Sequence, residues 1–279
     1  MNIEEPGTAT PRLYLLDVEG TVAPISLLTE VLFPYARDHF AEFLRRRGAD
    51  KDVRADLAML AEENRREEEL GHPVMQAGLF GLSQGDPENA SYSAELNYLL
   101  WLMDRDRKST ALKSLQGKIW KIGFESGELK GTLFDDVPPA IRRWSQKARV
   151  AIYSSGSAEA QQILFRHTVF GDLTPMISGY FDTRTGAKTV RTSYAAIAEA
   201  MGVARPEIAF YSDVVAELDA AREAGCRTRL VIRPGNAPIE GMVKHEIIHS
   251  FDEATDDDRA NGESGSGDPV TGREEAGRL

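Results

Sequence analysis

One apolar run, LYLL at residues 13–16, stands about a hundred residues ahead of the next run that could pair with it. Leu13, Tyr14, Leu15 and Leu16 leave no polar face, so the strand they predict is covered on both sides. A lone strand cannot form a sheet. From about residue 135 the texture changes to short apolar runs, ARVAIYSSG, IAFYSD, TRLVIR and EIIHSF. Candidate helices near 136–147, 157–168, 191–203 and 215–224 lie between them. That alternation is the signature of right-handed βαβ units on a parallel sheet. The sequence therefore predicts an α/β fold, a Rossmann-like parallel sheet core with a helical cap domain inserted after its first strand.

The intervening stretch reads as mostly helical, because FPYARDHFAEFLRRRG and DVRADLAMLAEENRREEEL place apolar residues at helical spacing among charges. Gly48 and Gly71 are candidate stops for these helices. GHPVMQAGLFGLSQGDPENASYS reads as a loop, and two more helices are expected over roughly 92–104 and 108–123. The expected units are residues 1–24 and 131–251 as catalytic core, 25–130 as helical cap and 252–279 as a disordered acidic tail. Linkers near 21–25 and 125–135 contain glycine or proline suited to hinges.

Charge is distributed unevenly. The chain of 279 residues carries a net −11, of which residues 252–279 hold −6, leaving −5 for the rest. The folded part is only mildly acidic, and no basic run interleaved with aromatics offers a nucleic-acid surface. No apolar run reaches membrane-spanning length and the N-terminus has no apolar centre, so neither a membrane span nor a signal peptide is expected, and the cytoplasm is the default location. The single cysteine, Cys226, reads as a packing residue. The five histidines are read as structural or surface residues. The cap-and-core plan requires no partner chain, and a monomer is expected.

In an open parallel sheet ligands bind beyond the carboxyl ends of the strands. Strand one ends in Asp17, Val18, Glu19, Gly20 and Thr21; VAIY ends in Ser154, Ser155, Gly156 and Ser157; IAFY ends in Ser212 and Asp213. Three carboxylates would repel one another unless neutralised, and a hard divalent cation with oxygen ligands is the simplest remedy. Magnesium fits best, since it takes one or two carboxylates and completes its shell with water and a substrate phosphate. The SSGS turn offers hydroxyls and N–H groups to a phosphoryl oxygen. Lys188, in FDTRTGAKTVRTSY, is the cation best placed by sequence order to complete the electrostatics. Taken singly, each feature also has a structural reading as a solvated strand end, a helix cap or an exposed lysine; jointly they point to metal and phosphate chemistry. GxGxxG and GxxxxGK[ST] are absent.

With these residues in view, the sequence resembles the haloacid dehalogenase superfamily of phosphatases and, within it, the enolase-phosphatases, or acireductone synthases, of methionine salvage. DVEGTVAPI matches that family's variant of the DxDGT signature, and TALKSLQGKIWKIGFESGELKG, DVPPAIRRW, IYSSGSAEAQQILF, GYFDT, SDVVAELDAAREAG and RPGN follow in the family's order across about residues 12–251. The resemblance implies a phosphorylated diketone substrate, 5-methylthio-2,3-dioxopentyl phosphate, enolised and then dephosphorylated with one magnesium ion per subunit. It further implies Asp17 as nucleophile, Glu19 as the second acid, Ser154 and Ser155 as phosphate or substrate binders, Lys188 as the phosphoryl-contacting lysine, and Asp213 as a metal ligand with Asp17 and Glu19. Glu217 falls where the superfamily often has another acid and is expected behind the first contacts. The resemblance leaves Glu19 open between acid–base work, metal ligation and enolisation, and names no base for enolisation. Arg107, Lys108, Lys113 and Lys118 are possible cap contacts to substrate, although helix-surface lysines are usually just solvated. A phosphatase for another small ester and a non-catalytic magnesium or phosphate-binding module remain as rival readings.

Overall fold

The computed structural model describes residues 11–69, 92–239 and 241–254. Strand β1 (Leu13–Leu16) is followed by a π-helical turn (Leu27–Leu32) and four helices, α1 (Phe33–Arg47), α2 (Lys51–Glu69), α3 (Ser93–Asp104) and α4 (Thr110–Ser126). Next come α5 (Val137–Ser145), β2 (Arg149–Tyr153), α6 (Ala158–Arg166), β3 (Gly179–Phe181), α7 (Arg191–Met201), β4 (Ile208–Ser212), α8 (Val215–Glu223), β5 (Arg227–Val231) and β6 (Glu246–Ile248). The sheet runs β3-β2-β1-β4-β5-β6, and every pairing is parallel.

β1 is thus central, and all four of its residues are buried. Tyr14 and Leu16 face one layer with Trp144 of α5, where Tyr14 and Trp144 stack with centroids 4.4 Å apart. Leu13 and Leu15 face the opposite layer with Tyr194, Ile197 and Leu218 of α7 and α8. The two-sided cover expected from LYLL is observed. Burial of such side chains contributes roughly 1.5–3 kcal/mol each. The helices after β1 close around an apolar cluster of their own, built on Ala36, Phe40, Leu60, Tyr98, Leu99, Leu115 and Ile119. Ser109 starts α4 by accepting from Leu112 N at 2.9 Å, and Glu63 caps the same end by accepting from the N–H groups of Thr110 and Ala111. Gly48 follows α1 as expected.

Three features depart from the sequence reading. β3 went unseen as a strand because three half-buried residues at a sheet edge carry too little apolar signal. The turn Leu27–Leu32 is π-helical, although LLTEVL reads as ordinary helix. Residues 252–254, assigned to a disordered tail, are placed against the core: Ala254 is 1% exposed and joins the cluster around Trp144 and Phe251. Gly71, nearly all of the predicted 71–93 loop and the remainder of the tail lie outside the described residues. Among the described residues no helix is long and apolar enough to cross a membrane.

Candidate active site

The ends of β1, β2 and β4 meet on one rim, and the predicted acids arrive there. Asp17, one residue past β1, is 2% exposed. Lys188 Nζ donates to Asp17 Oδ1 at 2.5 Å and lies 3.0 Å from Glu217 Oε2. Burial alone would lower the Lys188 pKa, but the carboxylates of Asp17 and Glu217 outweigh it and hold the ammonium above its usual range. The lysine comes from the loop before α7. The Tyr194 hydroxyl fixes its backbone, sitting 2.6 Å from the Lys188 carbonyl and 3.0 Å from that of Glu217. Ser212 Oγ donates to Glu217 Oε2 at 2.9 Å and lies 3.4 Å from Asp17 Oδ2. Glu217 is therefore a direct partner of the lysine, closer to the centre than its sequence position suggested.

Glu19, two residues past Asp17, is held by Ser154, whose Oγ donates to its Oε2 at 3.1 Å. Burial, then the neighbouring Asp17 charge, raise its pKa. Ser154 thus orients an acid, and its Oγ also accepts from Gly156 N at 3.2 Å. Ser155 is exposed, and Ser157 caps α6 by accepting from Ala160 N. Asp213 is pushed up to about 7 by burial and by Asp17. Its Oδ1 is buried with no hydrogen-bond partner. A Cβ on Gly20, whose φ is +74°, would stand 2.3 Å from Asp213 Oδ2, so this position both adopts a left-handed backbone and admits the acid.

An orphaned buried carboxylate oxygen among acids with raised pKa values fits an all-oxygen cation site. Among the described residues no three acidic, histidine or cysteine side chains form a ready cage. Magnesium needs fewer, and Asp17 with Asp213 fits its usual demand for one or two carboxylates.

Residues that sequence reading gave no role brace the site. From the RPGN segment after β5, Arg233 Nε donates to the Thr21 carbonyl at 3.1 Å and its other nitrogens reach the His249 carbonyl and Asp136, while Asn236 Nδ2 donates to the Gly20 carbonyl at 3.0 Å. Asp182, after β3, accepts from Ala158 N and Arg184 and is lowered to about 2, chiefly by the Arg184 hydrogen bond. It ties β3 to the start of α6. Of the described histidines, His39 stacks on Tyr35, and His245 is packed between Thr228 and Asp219. Cys226 is buried and its thiol pushed up to about 12 by that burial, in keeping with a packing role.

A cavity of about 1040 Å³ opens from Glu19 and Ser155 toward α1 and α4, lined on the far side by Phe33, Gln116, Gly117 and Trp120. All four predicted cap cations, Arg107, Lys108, Lys113 and Lys118, line the cavity, where Arg107 pairs with Glu67 and Lys118 with Asp56.

A buried acid at the tip of the central strand, a lysine bridging two carboxylates and a second acid two residues on agree with a hydrolase of the haloacid dehalogenase-like class, and the family model of that description matches residues 11–225. "Enolase-phosphatase E1" of Synechococcus elongatus is 50% identical over 240 residues, covering 86% of this chain and 95% of the relative. The Salmo salar protein of the same name is 39% identical over 246 residues, covering 87% and 94%. The UTR4 protein of Saccharomyces cerevisiae has a solved structure 34% identical to this chain, with a TM-score of 0.65 over 86% of this chain and 98% of that one. YfnB of Bacillus subtilis, 13% identical with a TM-score of 0.52, shares the fold alone. The chain belongs to the enolase-phosphatase E1 family.

Proposed function

We propose that the chain converts 5-methylthio-2,3-dioxopentyl phosphate to the acireductone 1,2-dihydroxy-5-methylthiopent-1-en-3-one and phosphate, as a monomeric cytoplasmic enzyme of methionine salvage. The observation that carries this reading is Asp17 bridged by Lys188 to Glu217, with Glu19 beside it at the mouth of a cavity large enough for a small phosphate ester. In this reading residues 1–24 and 131–251 act as catalytic core and 25–130 as the cap that supplies the cavity's far wall. One magnesium ion is held by Asp17 and Asp213. When bound, it supplies Lewis-acid polarisation and neutralises negative charge around the reacting oxygens.

The chain's own groups do the rest. An Asp17 carboxylate oxygen forms the bond to phosphorus as the ester P–O bond breaks, leaving an aspartyl phosphate. Lys188 starts on Asp17; as a phosphoryl group arrives, its ammonium can turn to a transferring oxygen while Glu217 keeps hold of it. Glu19 is suited to proton transfer because burial and the neighbouring Asp17 charge favour its acid form. It gives its proton to the departing enol oxygen and, as carboxylate, takes one from the water that attacks phosphorus and frees Asp17. Ser154 fixes its angle, and Ser155, on the cavity wall, is free to bind the phosphate. That assignment places Glu19 in acid–base work and leaves metal ligation to the other two acids.

The test is incubation with the diketone phosphate and magnesium, following ultraviolet absorbance of the enediol and phosphate release together. Both signals rise under the proposal. Phosphate release from simple esters, with neither signal from the diketone, would remove this substrate.

A further inference from the structure

Helix α4 has two interior glycines, Gly117 and Gly123, at positions where glycine costs about 1 kcal/mol relative to alanine. Packing accounts for one of them: a Cβ on Gly123 would lie 2.7 Å from the Tyr35 ring. Nothing comparable exists at Gly117, where an added Cβ meets no atom within 4 Å. The empty space is part of the large cavity, whose wall Gly117 forms with Gln116 and Trp120. Gln116 is 3% exposed, and its carboxamide has no hydrogen-bond partner among the described residues. Trp120 is anchored by its Nε1, which donates to the Leu32 carbonyl at 2.7 Å, and its ring lies 6.1 Å from that of Phe33. A notch in a helix, an unengaged amide beside it and a fixed aromatic wall form a receptor with one apolar side and one polar point.

Resting on the function proposed above, we infer that this stretch of α4 selects the substrate: the room beside Gly117 takes the apolar methylthioethyl tail against Trp120 and Phe33, and the Gln116 carboxamide donates to a carbonyl oxygen of the diketone. Glycine at 117 is retained for the ligand at the expense of helix stability. A side chain there would shorten the cavity along the tail. Loss of the Gln116 amide would leave the diketone oxygen unpaired, while a plain alkyl chain would be indifferent.

The experiment compares wild type, Gly117→Ala, Gly117→Leu and Gln116→Leu on a series of n-alkyl phosphates from methyl to hexyl and on the diketone phosphate, with thermal midpoints measured alongside. In wild type, kcat/KM rises with chain length by about three- to fourfold per methylene until the notch is full. Gly117→Ala lowers the ratio of hexyl to methyl turnover by about tenfold, and Gly117→Leu flattens the series, while Gly117→Ala raises the midpoint by about 2 °C. Gln116→Leu lowers kcat/KM for the diketone by about tenfold relative to hexyl phosphate. Identical chain-length profiles in wild type and both Gly117 variants overturn the notch. An unchanged diketone-to-hexyl ratio in Gln116→Leu overturns the amide contact. Failure of the substrate assignment looks different: wild type leaves the diketone untouched, and the alkyl series still distinguishes the Gly117 variants.

Discussion

The core rim and the far wall of the cavity are built on opposite plans. On the rim nearly every polar group is already held: Lys188 by two acids, Glu217 by Ser212, Glu19 by Ser154, and the Gly20 and Thr21 carbonyls by Asn236 and Arg233. Asp213 Oδ1, the Thr21 hydroxyl and Asn236 Oδ1 are exceptions among the described residues, and of these only Asp213 is a carboxylate. Across the cavity, Gln116 has no hydrogen-bond partner among the described residues and Gly117 faces open space. The difference separates two tasks. Groups that move electrons and protons gain from preorganisation, since reorienting them during reaction would raise the barrier. Groups that recognise a leaving group must be left unsatisfied until it arrives.

Substitutions on the two sides should therefore fail differently. The largest effect is expected from Asp17→Asn, which leaves the rim's hydrogen-bonding shape nearly intact but removes the nucleophile; phosphate release falls by about 10⁴-fold or more in a steady-state assay. Residual turnover within tenfold of wild type would mean another group attacks phosphorus. Next, Glu19→Gln lowers phosphate release by about 10²–10³-fold while enolisation of the diketone phosphate to its enol phosphate persists. Unchanged phosphate release would return Glu19 to metal binding or enolisation.

A third substitution probes the bracing. Arg233→Met leaves Asp136 and two backbone carbonyls without their buried partner, and urea unfolding should show a loss of about 3 kcal/mol. A loss below 1 kcal/mol would show that water replaces the guanidinium. The smallest effect is remote from both walls. Burial, aided by Arg222, lowers the His245 pKa against the raising influence of Asp219, so the fold keeps the imidazole neutral. As pH falls below about 6.5, the unfolded chain takes up a proton that the folded chain resists, and stability drops with acidification. His245→Gln should shallow the decline of the thermal midpoint between pH 7 and pH 5; an identical decline would assign it to other groups.

What could be read in the sequence was whatever is written in runs. LYLL, VAIY and IAFY disclosed a two-sided sheet, and because side chains just past such strands share one rim, Asp17, Glu19, Ser154 and Asp213 followed from topology. Lys188, 171 positions from Asp17, was placed by order and family likeness. The bracing was illegible for a physical reason. Asn236 and most of the Arg233 guanidinium act on backbone carbonyls, which every residue has, so apart from Asp136 no partner residue marks the contact in the sequence. Gln116 and Gly117 were hidden differently, since their role lies in contacts they do not make. The edge strand β3, short and half-buried, offered no apolar run at all.

The two chain crossings between helices and sheet run side by side, with Phe134 N donating to the Val22 carbonyl at 3.1 Å, only a few residues from Asp17. A door hung beside its own lock can swing wide at the free edge while the bolt hardly shifts. Any rotation of the α1–α4 unit about that seam would carry Gln116 and Gly117 through a long arc and leave Asp17, Lys188 and Asp213 in register, so a substrate could be admitted without dismantling the apparatus that consumes it.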